Sequence, residues 1–510
     1  MNSSKQIKFG AMMSYFAIAF NMLSGLLYTP WMITQIGQSN FGLYTLAHSL
    51  ITLFVMDFGM GAAVTRFVSK YNAEGNQQKV NDFLGVVYKL YLGIDGIIFA
   101  ILVGVSFFIN QIYANLSTNE LETFKVIYVI VGLFSVISFP FTNLNGILTA
   151  YENFVGLKFA DLLHKVFIVV AMVIALLMGY GVYALVLVNA LSGLLTIAIK
   201  LFLIKKKTPV KVNFKHKDKG LLKEIFGFSM WTTISSLSQR LIFNITPSII
   251  VAVSVTGAIG SAIFGLASTI EGYIYTFANA INGMFMPRIS KLVHEGKKDT
   301  ALVDLMIKVG RLQCIIIGVL VVGFISFGKS FVVDIWNKPD FVESYWCAVL
   351  LIIPSFFYLP MQIANTTIIV ENKVKLQSIV FIIMGVINVA ISLFASKYWG
   401  AVGASLSICI AYMVRNALML CIHVKVLRLD MKRFFKASYL KITPFLLVML
   451  GIGLALENFN PMTHGFLRFV VNGGAFVGIF ALTLYKLVIN EYEKNLFLGA
   501  FKKVLRKVKK

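Results

Sequence analysis

The chain has 510 residues, of which 58% are hydrophobic and 13% charged, and its formal net charge is +24. A soluble domain carries about 25% charged residues, so this composition excludes an ordinary soluble enzyme and points to lipid as the solvent. The basic excess lies in short segments between apolar runs, which excludes nucleic acid as its partner and fits the anionic inner leaflet of a membrane.

Read in chain order, "MNSSKQIKFG" leads into an apolar run holding Pro30 and Trp31, with no small-residue cleavage site. It is expected to be a retained spanning helix. Apolar runs long enough to cross a bilayer fall at 9–33, 41–64, 83–108, 124–148, 160–179 and 181–203. A basic stretch, 205–225, separates these from a second set at 226–252, 259–285, 303–327, 346–369, 377–396 and 400–422. Two more runs follow at 441–457 and 466–489. The expected fold is therefore an all-α membrane protein of fourteen transmembrane helices. With fourteen crossings and a cytoplasmic N-terminus, inner segments hold roughly 38 of the 46 Lys and Arg residues, and outer segments roughly 4. Both termini are thus expected inside. The ending "NLFLGAFKKVLRKVKK" sets Phe497, Phe501, Val504, Leu505 and Val508 on one helical stripe, so 491–510 is expected to rest on the inner surface as a basic amphipathic tail.

Catalytic and metal motifs are scarce. Cys314, Cys347, Cys409 and Cys421 form no CxxC pair, and His48, His164 and His294 are scattered. Neither a metal site nor a cofactor is expected. The "DFG" at 57–59 adjoins a spanning run and has no companion kinase motif, and no glycine-rich phosphate loop occurs. No enzyme is expected.

The chain does contain a repeat. "SKYNAEG" at 69–75 returns as "SKLVHEG" at 290–296, "GQSNFGL" at 37–43 as "GSAIFGL" at 260–266, and "LLYTPWMI" at 26–33 as "FNITPSII" at 243–250. The order is kept and the offsets are 221, 223 and 217 residues, so one six-helix unit is read as duplicated. The expected organisation is an N-lobe at 1–204, a linker at 205–225, a C-lobe at 226–424, an extra helix pair at 425–490 and the tail. Six is even, so both lobes start on the same side and form a parallel repeat. Pro30 and Pro247 stand at matched places in helices 1 and 7, where a break in backbone hydrogen bonding marks a gate or a site.

With its early proline, "GQSNFGLY" and "DFGMGAAVTRFVSKY", the chain resembles the Wzx-type polysaccharide flippases of the multidrug/oligosaccharidyl-lipid/polysaccharide exporter superfamily. The resemblance covers the whole chain. It implies translocation of undecaprenyl-diphosphate-linked oligosaccharide units across a bacterial cytoplasmic membrane by cation-coupled alternating access, for surface polysaccharide biosynthesis. It further implies polysaccharide polymerase and chain-length proteins as partners, and a groove for the lipid tail on helices 13 and 14. Two alternatives within that superfamily stay open: a lipid II flippase and a drug/cation antiporter.

Intramembrane charges are the candidate site residues, since each costs a few kcal/mol to insert. Arg240, near midplane in helix 7, either grips the anionic part of the substrate or pairs with Glu271 in helix 8. Arg415 in helix 12 either lines the inner vestibule or snorkels. Arg66 and Arg288 stand at matched inner ends of helices 2 and 8, where they guide a diphosphate or anchor the chain. Glu271 and Asp95 are candidate ion-coupling carboxylates, each with a purely structural alternative. Asp57, followed by Gly59 and Gly61, is expected first as a helix cap at a break and second as a coupling group.

Overall fold

The computed structural model describes residues 3–55, 59–282, 285–296, 298–336, 338–462 and 465–494. Among these residues every regular element is helical. Among the described residues ten helices are long and apolar enough to cross a membrane, and eleven if a bent pair is taken as one span. The expected number was fourteen, and the particulars show why the two differ. Residues 374–425 are two helices in succession, divided by a kink at Trp399 and Gly400 (φ 52°), where the spans expected at 377–396 and 400–422 meet, and they count as one of the ten. The span expected at 41–64 is instead divided into Gln38–Phe54 and Met60–Ala73.

The chain packs as two compact units, one of residues 1–266 with 374–411 and the other of residues 267–373 with 412–510. In the first, α1 (Ser3–Ile36), α2 (Gln38–Phe54), α3 (Met60–Ala73) and α4 (Gln77–Phe107) precede α5 (Thr118–Ser138) and α6 (Leu144–Ala150). Next come α7 (Phe154–Leu177), α8 (Val182–Lys207), α9 (Lys219–Phe243) and α10 (Thr246–Val253), and α11 (Gly257–Asn282) starts here. Lipid is as apolar as leucine, so helices in it associate through close packing and buried hydrogen bonds. The packing here is aromatic: Phe83, Tyr91, Phe124 and Phe139 are all fully buried in one cluster. Helix ends are capped by side chains. Ser117 and Glu120 form a capping box at the start of α5, and Ser39 of α2 donates to the same Glu120 carboxylate. Each such cap contributes about 1 kcal/mol.

The linker after α8 is held rather than loose. The Asn213 amide donates to the Asn81 carbonyl at 3.0 Å, the Lys211 amide to Asn81 Oδ1 at 2.9 Å, and Asn213 Nδ2 to Asp82 Oδ1 at 2.6 Å. Lys89 Nζ reaches the His216 carbonyl at 2.7 Å. Gly85 permits this approach, because a Cβ there would collide with the Asn213 carbonyl.

In the second unit, α12 (Met286–His294) leads to α13 (Val303–Ser330), α14 (Val342–Tyr358) and α15 (Gln362–Val370). The end of α16 (Val374–Lys425), α17 (Met431–Ala437), α18 (Tyr439–Phe459) and α19 (Phe466–Thr483) complete it. α13 is the hub, packing against α14, α15, α17, α18 and α19. It is tied at both ends. Near its start, buried Arg311 makes a bidentate pair with Glu493 (2.6 and 3.0 Å) and donates to the Ala437 and Val488 carbonyls at 2.8 and 3.0 Å. At its end, Ser330 donates to Glu457 of α18, whose other oxygen accepts from Asn472 of α19 at 3.0 Å.

The repeat has structural counterparts. "SKYNAEG" and "SKLVHEG" both end a helix on a left-handed glycine, Gly75 at φ 67° and Gly296 at φ 70°. In both, the glycine amide bonds the carbonyl three residues back. Further matches lie at a constant offset of 220 residues. The 3₁₀ turns Phe139–Phe141 and Leu359–Met361 both centre on a proline, Pro140 or Pro360. Beyond each turn a residue takes positive φ, Glu152 at 55° and Asn372 at 56°.

Candidate functional site

The second unit gathers buried charge and aromatic rings where α11, α14 and α16 meet. Pro354 lies within α14 and has no N–H to return to the carbonyl four residues earlier. Ser355 follows it, fully buried, close to the carboxyl of Glu271 on α11. One turn beyond Pro354 is Tyr358, whose ring centroid lies 5.5 Å from that of Tyr412 and 6.5 Å from that of Tyr275. Tyr412 and Arg415 are three residues apart on α16 and share a face. The Arg415 guanidinium carbon stands 4.8 Å from the Tyr358 ring centre and 5.6 Å from the Tyr412 ring centre. Arg415 is 6% exposed and Glu271 8%. Tyr358 and Tyr412 lie in the field of both charges.

The chemistry of this arrangement follows from geometry. Each desolvated cation–π contact contributes up to about 2 kcal/mol, which offsets much of the cost of a charge in hydrocarbon. A guanidinium stacked by its faces presents its N–H edge to in-plane acceptors, as bidentate phosphate or carboxylate recognition requires. Two turns along α16, His423 Nε2 meets Asn365 Oδ1 at 3.1 Å, both side chains being buried.

The other expected residues are distributed as follows. Arg240 lies in the first unit, where its Nη1 donates to the Thr52 carbonyl in the last turn of α2. That carbonyl is among the four that a helix end leaves without an intrahelical donor, at the negative end of the helix dipole. Arg240 therefore closes the end of α2, one turn before the bend of 41° that separates α9 from α10. Pro247 opens α10, whereas Pro30 lies inside α1 with no interruption. Asp95 is buried on α4. Arg66 on α3 and Arg288 on α12 are exposed, and Arg66 lies over the ring of Phe67 at 5.8 Å. Asp57 and the tail from 495 onward lie outside the described residues. Of the candidates, Glu271 and Arg415 are brought into one cluster.

Several functional-looking groups escaped the sequence reading. Buried Lys200 of α8 donates to Asn145 Oδ1 at 2.9 Å and to Asp161 Oδ1 at 2.8 Å. Asn145 and Asn365 are matched in the repeat, so both halves use one asparagine to hold a buried basic side chain from a later helix. The available signal was the pair "FPFTNLN" and "YLPMQIAN", with proline and asparagine at common spacing. Beside α18, an apolar recess of about 600 Å³ is lined by Phe435, Tyr439, Leu440, Pro444 and Leu447, with Lys436 at its edge.

Comparison with known proteins agrees with this architecture. The structure of a lipid II flippase, MurJ, in an inward closed conformation matches with TM-score 0.69, 17% identity, and coverage of 94% of this chain and 99% of that one. An inward-facing multidrug resistance MATE family transporter of the MOP superfamily matches with TM-score 0.61, 15% identity, and coverage of 81% and 98%. An uncharacterized membrane protein of Methanocaldococcus jannaschii, MJ1375, is 25% identical over 410 residues, 77% of this chain and 93% of its own length. The profile of the family described as "Polysaccharide biosynthesis protein" matches residues 10–293. This multi-pass membrane chain, with a MurJ- and MATE-like fold, belongs to the polysaccharide biosynthesis protein family.

Proposed function

We propose that the chain carries an undecaprenyl-diphosphate-linked oligosaccharide across the cytoplasmic membrane by alternating access, with both termini on the cytoplasmic side. The observation that carries this reading is Arg415, buried and stacked on Tyr358 and Tyr412 beside Glu271, in a chain of a polysaccharide biosynthesis family. A buried guanidinium between rings suits a diphosphate or an acidic sugar, and it repels a cationic drug. Tyrosine faces suit the apolar faces of sugar rings. The exposed Arg66 and Arg288 gather the diphosphate at the inner surface, and the recess at Phe435–Leu447, with Lys436 beside it, seats the prenyl chain. Arg240 takes a positioning role in this scheme, since Thr52 already holds it. Glu271 and Asp95 are the coupling carboxylates.

The test is reconstitution of the purified protein into vesicles with a labelled undecaprenyl-diphosphate glycan, reading head-group exposure in the opposite leaflet. Glycan-dependent exposure that Arg415→Ala abolishes, at equal protein abundance, supports the reading. Transfer of the peptidoglycan precursor alone, or of cationic dyes alone, overturns it.

A further inference from the structure

Lys165 is the twelfth of the 24 residues of α7, so about 16 Å of helix separates it from either end. That is beyond the reach of a lysine stem, and snorkelling does not account for its charge. The helix has two opposed faces. Phe159, Phe167, Val170, Ile174 and Leu177 are exposed and share the lipid side. Lys158, Asp161, Lys165 and Met172 form a stripe on the opposite side. Contacts fix where that stripe looks. Toward its inner end, Asp161 accepts from Lys200 of α8 at 2.8 Å. Toward its outer end, Met172 Sδ lies 4.0 Å from the Tyr44 hydroxyl of α2, and Asn189 of α8 donates to the same hydroxyl at 3.4 Å. Asp161 and Met172 are about 16 Å apart along the helix, and Lys165 stands between them.

Protein does not fill the space between those contacts. Lys165 and Tyr44 are half-buried, although both turn away from lipid. His48, one turn along α2 with its ring 6.4 Å from that of Tyr44, is exposed, and it alone is exposed in α2. A helix otherwise covered on every side does not face lipid, so His48 opens on an interior chamber. The charge of that chamber follows from the sequence. Asp161 is the one acidic residue in α1, α2, α7 and α8, and Lys158 at 3.7 Å and Lys200 already share it. These helices therefore hold a positive charge at Lys165 that they do not neutralise. Such a charge costs a few kcal/mol within hydrocarbon, and an anionic ligand offsets that cost.

We propose that Lys165, Tyr44 and His48 bind the carboxylate-bearing sugar of an acidic glycan, in a subsite built by the first unit alone. One ammonium balances one carboxylate, whereas a diphosphate brings more charge than Lys165 offsets. Lysine acts as a point charge and needs no bidentate partner, and the Tyr44 and His48 rings offer faces for a sugar to pack on. The inference rests on the translocation reading, and it names the charge of the glycan carried.

Equilibrium dialysis of the detergent-purified full-length chain tests it, with radiolabelled cellobiouronic acid (glucuronosyl-glucose) as the probe and cellobiose as its neutral counterpart. The acid should bind saturably, and cellobiose at least about tenfold more weakly. Lys165→Gln should lose at least about tenfold in affinity for the acid, and Lys165→Arg should recover most of it. Lys125→Gln removes the same charge from a side chain ion-paired to Glu122 on α5, and it should bind as wild type. If Lys165→Gln does not purify, reductive methylation of the wild type, read by peptide mass spectrometry, decides: the acid should slow modification of Lys165 and cellobiose should not. No binding of the acid, equal binding of the two disaccharides, unchanged affinity in Lys165→Gln, no protection of Lys165, or tighter binding of cellobiose 6-phosphate than of the acid overturns the subsite. Nothing crosses a membrane in this assay, so failure of the translocation reading and failure of the subsite are separately visible.

Discussion

Arg415 shows how a single side chain can be both structural and functional. Its stacking on Tyr358 and Tyr412 needs a planar cation, so Arg415→Lys keeps the charge and loses the geometry. Glycan transfer in vesicles is expected to fall at least about tenfold in Arg415→Lys, while Tyr358→Phe, which keeps the ring, stays within about threefold of wild type. Arg311 provides a purely structural contrast. Removing it strands Glu493 in a buried site, at a cost of about 3–5 kcal/mol. Thermal melting of Arg311→Ala and Glu493→Ala should show large and similar losses, with the double variant losing less than their sum. Arg415 was readable from sequence as a charge within a spanning run. Its tyrosine partners were not, because the chain has 20 tyrosines and nothing local separates a stacking ring from a packing one. Arg240 was readable as a charge near midplane, but the Thr52 carbonyl that holds it is a backbone group 188 residues away.

Helices were legible where hydrophobic length alone decides them and less so where the backbone breaks. The break near "GYGVY" was visible in its glycines, and α7 and α8 are indeed separate helices on either side of it. The division of α2 from α3 was foreshadowed by Gly59 and Gly61, whereas the continuity of α1 through Pro30 was not. Pro30 has no N–H to return to the Leu26 carbonyl four residues earlier, yet the helix runs on through it. The linker at 205–225 was legible only as a basic stretch, since its anchors are asparagine and backbone groups that carry no periodic signal. Gly85→Ala should expose this element. The added methyl meets the Asn213 carbonyl, so the linker must shift, at about 1–3 kcal/mol. Limited trypsin treatment should then cut faster at Lys211, Lys215 and Lys217 than in the wild type.

At the scale of the whole chain, three short sequence matches suggested a duplicated plan, and the folded helices add proline turns and asparagines 220 residues apart. What sequence could not show was the hub role of α13, because its ties run to Ala437, Val488 and Glu493, which lie outside the repeat. Those ties have a mechanical consequence. Arg311 and Ser330 are nineteen residues apart, about 28 Å along a helix, nearly the thickness of a bilayer's hydrocarbon core. A strut riveted at both faces of the oil has no lever arm about which α18 and α19 can swing. Paired spin labels on α13 and α18 should therefore report one unchanging separation through every stage of a transport cycle, and a second separation appearing with glycan would show that the rivets slip.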